Sequence, residues 1–325
     1  MTWCATATTV AGTGNAGSQV TQLRDPWRVA LDSSGAIYVA DSYYNRVSSW
    51  TIGSPIGTIM AGQVNGQSGS TLPYLNTPYG VCVDSNKNVY VADTTNHRVQ
   101  LWTYGASSGA TVAGTGKKNV IKIKRYFMMF LGSSGSLLTQ LSSPNSVVLD
   151  SSTNTLYVAD TGNHRILSFE PNVTTGVLVA GGAGAGTSST QLSSPTDIYY
   201  DSSSRTLFIV NLGSHCVVRW VIGAFTWSLV AGIPGSTGTT PLTFNNPQGL
   251  TLDSAGNLYV ADTSNHRIQF FRSGNVTGTT IAGTTSTAGA SSSLLYGPRS
   301  VKVDSQFNLY VADTTNHRVQ MFQRC

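Results

Sequence analysis

The chain has 325 residues, of which 10% are charged, 40% are hydrophobic and 34 are glycine. This composition excludes a disordered acidic or basic tail protein, which needs high net charge and few apolar residues, and no uncharged apolar run is long enough to cross a membrane as a helix. Four cysteines are too few for a disulfide scaffold at this length, no Cys-x-x-Cys spacing suggests a zinc or redox centre, and the first residues show no basic-then-apolar leader.

From the N-terminus, the first predicted element is a short apolar strand, Thr8-Thr-Val-Ala-Gly12. One pattern then repeats six times. Each copy opens on a proline (Pro26, Pro78, Pro144, Pro195, Pro247, Pro298) and an apolar strand ending in Asp32, Asp84, Asp150, Asp201, Asp253 or Asp304. A second strand follows, Tyr38-Val-Ala-Asp41, recurring as Tyr90–Asp93, Tyr157–Asp160, Tyr259–Asp262 and Tyr310–Asp313, with a degraded copy at Phe208–Asn211. A turn leads to a third strand closing in an aromatic: Trp50, Trp102, Phe169, Trp220, Phe271 or Phe322. Ten residues beyond each of the first five aromatics lies an apolar-Ala-Gly triplet such as Met60-Ala61-Gly62.

Each copy thus holds four strands of about five residues separated by turn-forming residues, with no helical periodicity. A unit of that kind is one small antiparallel sheet, and sheets repeated at this period arrange radially as a β-propeller. The predicted fold class is all-β, a six-bladed propeller in one domain, with blade cores at 27–62, 79–114, 145–181, 196–232, 248–283 and 299–325. The last blade lacks a fourth strand, which residues 8–12 supply from the other end of the chain. The ten-residue spacing places Cys325 and Cys4 on consecutive positions of that hairpin. They are expected to form a bridge, the alternative being two neighbouring thiols. Cys82 and Cys216 read as ordinary half-buried residues.

One step of the repeat is irregular. The repeated acid recurs at steps of 52, 67, 51, 51 and 51 residues, and the excess falls in Lys117–Gly132, KKNVIKIKRYFMMFLG. This segment carries five bases and no acid, so it accounts for the whole net charge of +5. Its alphabet matches AT-rich codons, and GTAAG and TTTTTAG can be written at its ends. The expectation is a translated, unspliced short intron, testable by sequencing the spliced transcript. The competing reading is a basic, aromatic loop that binds an anionic membrane or nucleic acid.

The turn after the repeated acid reads Asn96-His-Arg98, Asn163-His-Arg165, Asn265-His-Arg267 and Asn316-His-Arg318. These residues, followed by an apolar strand, resemble the NHL repeat family, and the resemblance covers essentially the whole chain in six copies. It implies a six-bladed propeller, the fold that the counting reaches independently. Blade one departs slightly, with Tyr44-Asn45-Arg46, and blade four fully, with Ser214-His215-Cys216.

In blade four the repeated Asp is Asn211 and the repeated Arg is Cys216. Joint loss of both charges is what a paired carboxylate and guanidinium require, since a lone buried partner costs about 3–5 kcal/mol. Asp41–Arg46, Asp93–Arg98, Asp160–Arg165, Asp262–Arg267 and Asp313–Arg318 are therefore read as structural clamps. The five histidines share one repeat position and read as scaffold, because a metal needs several ligands converging on one ion. No metal and no cofactor is expected.

Catalysis has little to draw on: one glutamate, Glu170, and no spare histidine. Propeller lyases and hydrolases are the second alternative, but their metal site takes histidines from inner strands, which this chain lacks. A non-enzymatic binding role is expected, with protein, peptide or glycan on the loop-rich face. Residues directly after the six prolines are expected to line the channel mouth as ligand-binding groups: Trp27, Arg28, Tyr79, Asn145, Thr196, Asp197, Gln248 and Arg299. NHL propellers in tripartite-motif proteins bind RNA or partner proteins, so RNA binding or a ubiquitin-ligase-associated role is the first alternative. Against RNA, bases and acids balance at 14 each outside the insertion, and five of those bases are assigned to clamps. No RING or B-box zinc spacing is present. Asn172-Val-Thr and Asn275-Val-Thr are glycosylation sequons, and with the proposed bridge they point to an extracellular, monomeric domain separated from its leader.

Overall fold

The computed structural model describes residues 2–114 and 134–325; the segment 117–132 lies outside the described residues. Among the described residues there are six four-stranded antiparallel sheets. Blade one runs Pro26–Leu31, Ile37–Asp41, Arg46–Trp50 and Thr58–Gly62 in sequence order. Each second strand pairs so that the repeated Asp faces the first residue of the third strand, as Asp41 does Arg46. First strands of successive blades contact one another around the whole ring, including Pro298–Val303 against Pro26–Leu31. They therefore surround the axis.

The sixth blade is built from both ends of the chain. Thr8–Ala11 pairs with Arg318–Phe322, with Thr8 opposite Met321 and Ala11 opposite Val319. Pairing continues beyond the strand: the Cys4 N–H donates to the Gln323 carbonyl at 2.9 Å and the Cys325 N–H to the Thr2 carbonyl at 3.1 Å. Cys4 and Cys325 form a disulfide with Cα atoms 5.3 Å apart. Cys82 is half-buried as expected, whereas Cys216 is fully buried, because the start of every third strand is sealed under the loop that precedes its blade.

Two bonds tie each blade to the next, except blade four, where Leu212 stands in place of the hydroxyl and only the second bond is made. The hydroxyl after the repeated Asp donates to the next blade's proline carbonyl, as Thr94 does to Pro144 at 2.7 Å and Thr314 to Pro26 at 2.7 Å. The residue before that proline takes a left-handed conformation in all six blades, Asp25 (φ 53°), Thr77, Ser143, Ser194, Asn246 and Gly297. Such strain persists only where neighbours hold it. The holder is the repeat histidine: His317, His97, His164, His215 and His266 each accept that residue's backbone N–H on Nδ1 at 3.0–3.3 Å. Blade one, which has no histidine there, uses Asn45 Oδ1 on Thr77 N at 2.8 Å.

Candidate functional site

Five clamps support the loops of the mouth face. The Arg Nε lies 2.7–2.8 Å from the Asp Oδ2 in Asp41–Arg46, Asp93–Arg98, Asp160–Arg165, Asp262–Arg267 and Asp313–Arg318. The remaining guanidinium nitrogens donate to carbonyls of the loop leading into the blade, as Arg98 does to Ser70, Thr71 and Tyr74. The second carboxylate oxygen accepts a loop N–H; for Asp41 the donor is Arg24 N at 2.8 Å. Burial pushes the Asp41 carboxyl up to about 6 against the opposing pull of Arg46.

Blade four fills the same space differently. Asn211 Oδ1 accepts Ser193 N at 2.6 Å, as the aspartates do in their blades. The guanidinium's place on the loop is taken by Trp227, whose indole N–H donates to the Gln191 carbonyl at 2.8 Å. In blades one, two, three and five that position is Gly57, Gly109, Gly176 or Gly278, where a Cβ would press on the blade's closing aromatic.

The eight residues expected at the channel mouth divide into two groups. Arg28 and Asp197 are each 2% exposed and form an ion pair across the axis between blades one and four. Arg28 Nη2 also donates to the Thr196 carbonyl at 2.9 Å. Asp197 accepts Ser146 Oγ, Ile198 N and Leu250 N, each at 2.8 Å. Asn145 and Thr196 are buried as well. These four are therefore not rim residues: Arg28 and Asp197 lie two residues after their prolines and point into the ring, while Asn145 and Thr196, directly after theirs, are covered by neighbouring residues.

Trp27, Tyr79, Gln248 and Arg299 are part-exposed. Trp27 and Tyr79 stack at 3.6 Å with 9° between planes, and the Arg299 guanidinium lies 3.6 Å from the Trp27 ring centre. Arg299 Nη1 also reaches Gln248 Oε1 at 3.4 Å. Blades six, one and two thereby build one continuous cation–π–π column.

Beside this column a cavity of about 320 Å³ opens between blades one and two. Its aromatic walls are Trp27, Tyr43 and Tyr79, with the amides of Asn45 and Asn76, the hydroxyls of Ser42, Ser68 and Thr77, and the Asp25 carboxylate. Tyr43 is 51% exposed and carries the Arg24 guanidinium 3.5 Å from its ring centre. Sequence reading missed Tyr43, Asp25 and Asn76. The signal was present, since the position of Tyr43 is Thr95, Gly162, Gly213, Ser264 or Thr315 in the other blades.

A larger groove of about 980 Å³ lies between blades three and four toward the opposite face, lined in part by Tyr157, Leu178, Tyr200 and the 88%-exposed Phe225. Glu170 lines it too. Asn172 and Asn275 sit in exposed turns after third strands. Among the described residues no three His, Cys, Asp or Glu side chains gather as a metal site, and no helix is long and apolar enough to cross a membrane.

Comparison with known proteins agrees with this architecture. The NHL repeat family matches at residues 23–48, 75–101, 141–169, 244–271 and 295–322, leaving out the degraded fourth blade. The chain is 28% identical to human NHL repeat-containing protein 2 over 91% of its own length and 46% of that protein, so it spans about half the relative. Among solved structures it resembles an auxiliary nutrient binding protein from Bacteroides thetaiotaomicron (TM-score 0.68, 14% identity, 97% of this chain and 75% of that one). It also resembles a gluconolactonase from Xanthomonas campestris (TM-score 0.64, 13% identity, 98% and 95%). Repeat matches in five of the six blades, the closing blade that carries both termini among them, with the degraded fourth blade built as the same four-stranded sheet, place this chain in the NHL-repeat family.

Proposed function

We propose that this chain is a non-enzymatic binding module that engages a protein, peptide or glycan through the mouth face at blades one and two. The observation that carries the reading is the concentration of aromatic side chains there. Trp27, Tyr79 and Tyr43 come together on part-exposed positions, and an exposed aromatic cluster on a rigid scaffold is the usual anchor of a recognition surface. The nutrient binding protein shares the fold, and fold alone does not assign function.

Nucleic acid ranks second. Arg24 and Arg299 are committed to aromatic rings and Arg28 is buried, which leaves few bases for phosphates. The Cys4–Cys325 disulfide supports an extracellular setting, where Asn172 and Asn275 would be glycosylation sites. A photo-crosslinking residue placed at position 43 and, separately, at 225 tests the reading in the medium or tissue fluid that holds the protein. Adducts formed from position 43 alone support it; adducts from 225 alone contradict it.

A further inference from the structure

We infer that the cavity between blades one and two is a binding site for a neutral saccharide unit, an assignment that rests on the binding-module reading and narrows its ligand class. Size is the first reason. At about 320 Å³ the cavity stands at the small end of the about 300–1,000 Å³ range of small-molecule sites, with room for a mono- or disaccharide rather than a folded partner's loop.

The free hydrogen-bonding groups give the second reason. Part of the polar lining is already occupied: Ser42 Oγ donates to the Pro78 carbonyl at 2.6 Å, and Asn45 bonds Thr77 N and the Gly66 carbonyl. Among the described residues Ser68 Oγ, the Asn76 Nδ2 and the hydroxyls of Tyr43 and Tyr79 have no hydrogen-bond partner, and the Asp25 carboxylate has none either, with His317 Nδ1 3.5 Å away. This set mixes acceptors, donors and groups that do both. Ring hydroxyls both donate and accept, so a sugar can satisfy such a set, whereas a purely apolar or purely cationic ligand leaves part of it unmet.

Charge gives the third. The Asp25 carboxylate disfavours an anion inside the cavity. The guanidiniums of Arg24 and Arg299, stacked on Tyr43 and Trp27, disfavour a cation and cover ring faces that an ammonium cage would need. A neutral polyol meets neither objection, and its C–H faces can pack against the aromatic edges that remain.

Blade one supplies the fourth. Where the other blades carry Asn-His before the clamp arginine or, in blade four, Ser-His before Cys216, it carries Tyr44-Asn45, preceded by Tyr43. Asn45 keeps the histidine's bond to the next blade. The scaffold role is retained while the exposed positions change, which is the pattern of a site grafted onto one repeat.

Saturation-transfer NMR and calorimetry on the whole chain test this with four probes: neutral mono- and disaccharides, their sulfated or sialylated counterparts, tetramethylammonium, and an octauridine RNA. Saturable binding of a neutral sugar is expected, weakened at least tenfold in Tyr43→Ala and in Asp25→Asn, which keeps a residue tolerant of the left-handed backbone, and unchanged in Phe225→Ser on the opposite face. Preference for tetramethylammonium, for the anionic sugars or for RNA overturns the saccharide assignment, as does failure of every neutral sugar to saturate. If one of those other probes binds and Tyr43→Ala removes it, the mouth-face module stands while the saccharide falls. Binding that survives Tyr43→Ala and is lost in Phe225→Ser removes both.

Discussion

Arg28 of blade one and Asp197 of blade four meet across the propeller axis as a buried ion pair, and through the hydrogen bonds of Asp197 the carboxylate is held by blades one, three, four and five. In the other four blades the same position is Gly80, Ser146, Gly249 or Ser300. Built Cβ atoms at Gly80 and Gly249 would press on the neighbouring blade's backbone, 2.5–2.8 Å away. The two long side chains at this position pair with each other across the axis, and the other four blades keep Gly or Ser there.

Asp197→Asn leaves the Arg28 guanidinium buried opposite a neutral group and is expected to cost about 3–5 kcal/mol. The double variant Arg28→Ser with Asp197→Gly restores the residue types of the other blades and opens the axis to water. It is expected to be less destabilised than Asp197→Asn alone. Urea titration of both variants checks the order.

Blade four is a natural experiment on the clamp. Asn211→Asp alone places a carboxylate in a fully buried position where Cys216 and Trp227 offer no cation, and should lose about 3–5 kcal/mol. Adding Cys216→Arg and Trp227→Gly rebuilds the arrangement of the other blades and should recover most of it. Thermal unfolding of the single and triple variants reads the difference.

The interblade histidines predict a pH dependence. Burial lowers the pKa of His97, His215 and His266, and the Nδ1 of each must be unprotonated to accept its bond. Their folded values lie below the unfolded value of about 6.5, so their contribution is full above that pH and is lost as pH falls below it. The clamp carboxylates oppose this. Burial raises Asp41 to about 6 and raises Asp93, Asp160, Asp262 and Asp313, so those groups favour the folded state as they protonate. Replacing the three histidines by Asn, the residue blade one already uses, isolates the first effect. The wild type should lose more stability than the triple variant between pH 7 and pH 5, measured by denaturant unfolding at each pH.

The Cys4–Cys325 bridge closes a loop of 321 residues. Cys4→Ser with Cys325→Ser should lower stability by about 2–5 kcal/mol while the ring stays closed, because Thr8–Ala11 still pairs with Arg318–Phe322. Unfolding with and without reductant should differ in the wild type and coincide in the variant.

Ring closure was legible in the sequence because a fixed repeat length leaves no freedom: once Val10 occupied the position ten residues past Phe322, the pairing of the termini and the meeting of Cys4 with Cys325 followed. The clamps were legible through the coordinated change at Asn211 and Cys216. The direction of Arg28 and Asp197 was legible only in part: strand alternation separates them from Trp27, Tyr79, Gln248 and Arg299, one residue earlier in the repeat, but that their side is the buried axis depends on how six first strands converge, which is not a local property. Trp227 replacing a guanidinium was equally hidden, since the residue lies in a different hairpin from the Cys216 it compensates. Tyr43 was readable by comparing blades position by position.

The central functional claim is that ligands are held on the mouth face of blades one and two. Hydrogen–deuterium exchange of the whole chain, with and without a bound partner or sugar, tests it most directly. The account predicts new protection confined to residues 24–28, 42–46, 74–79 and 296–300. Protection confined instead to residues 150–157, 177–181 and 222–225, around the Phe225 groove, would contradict it.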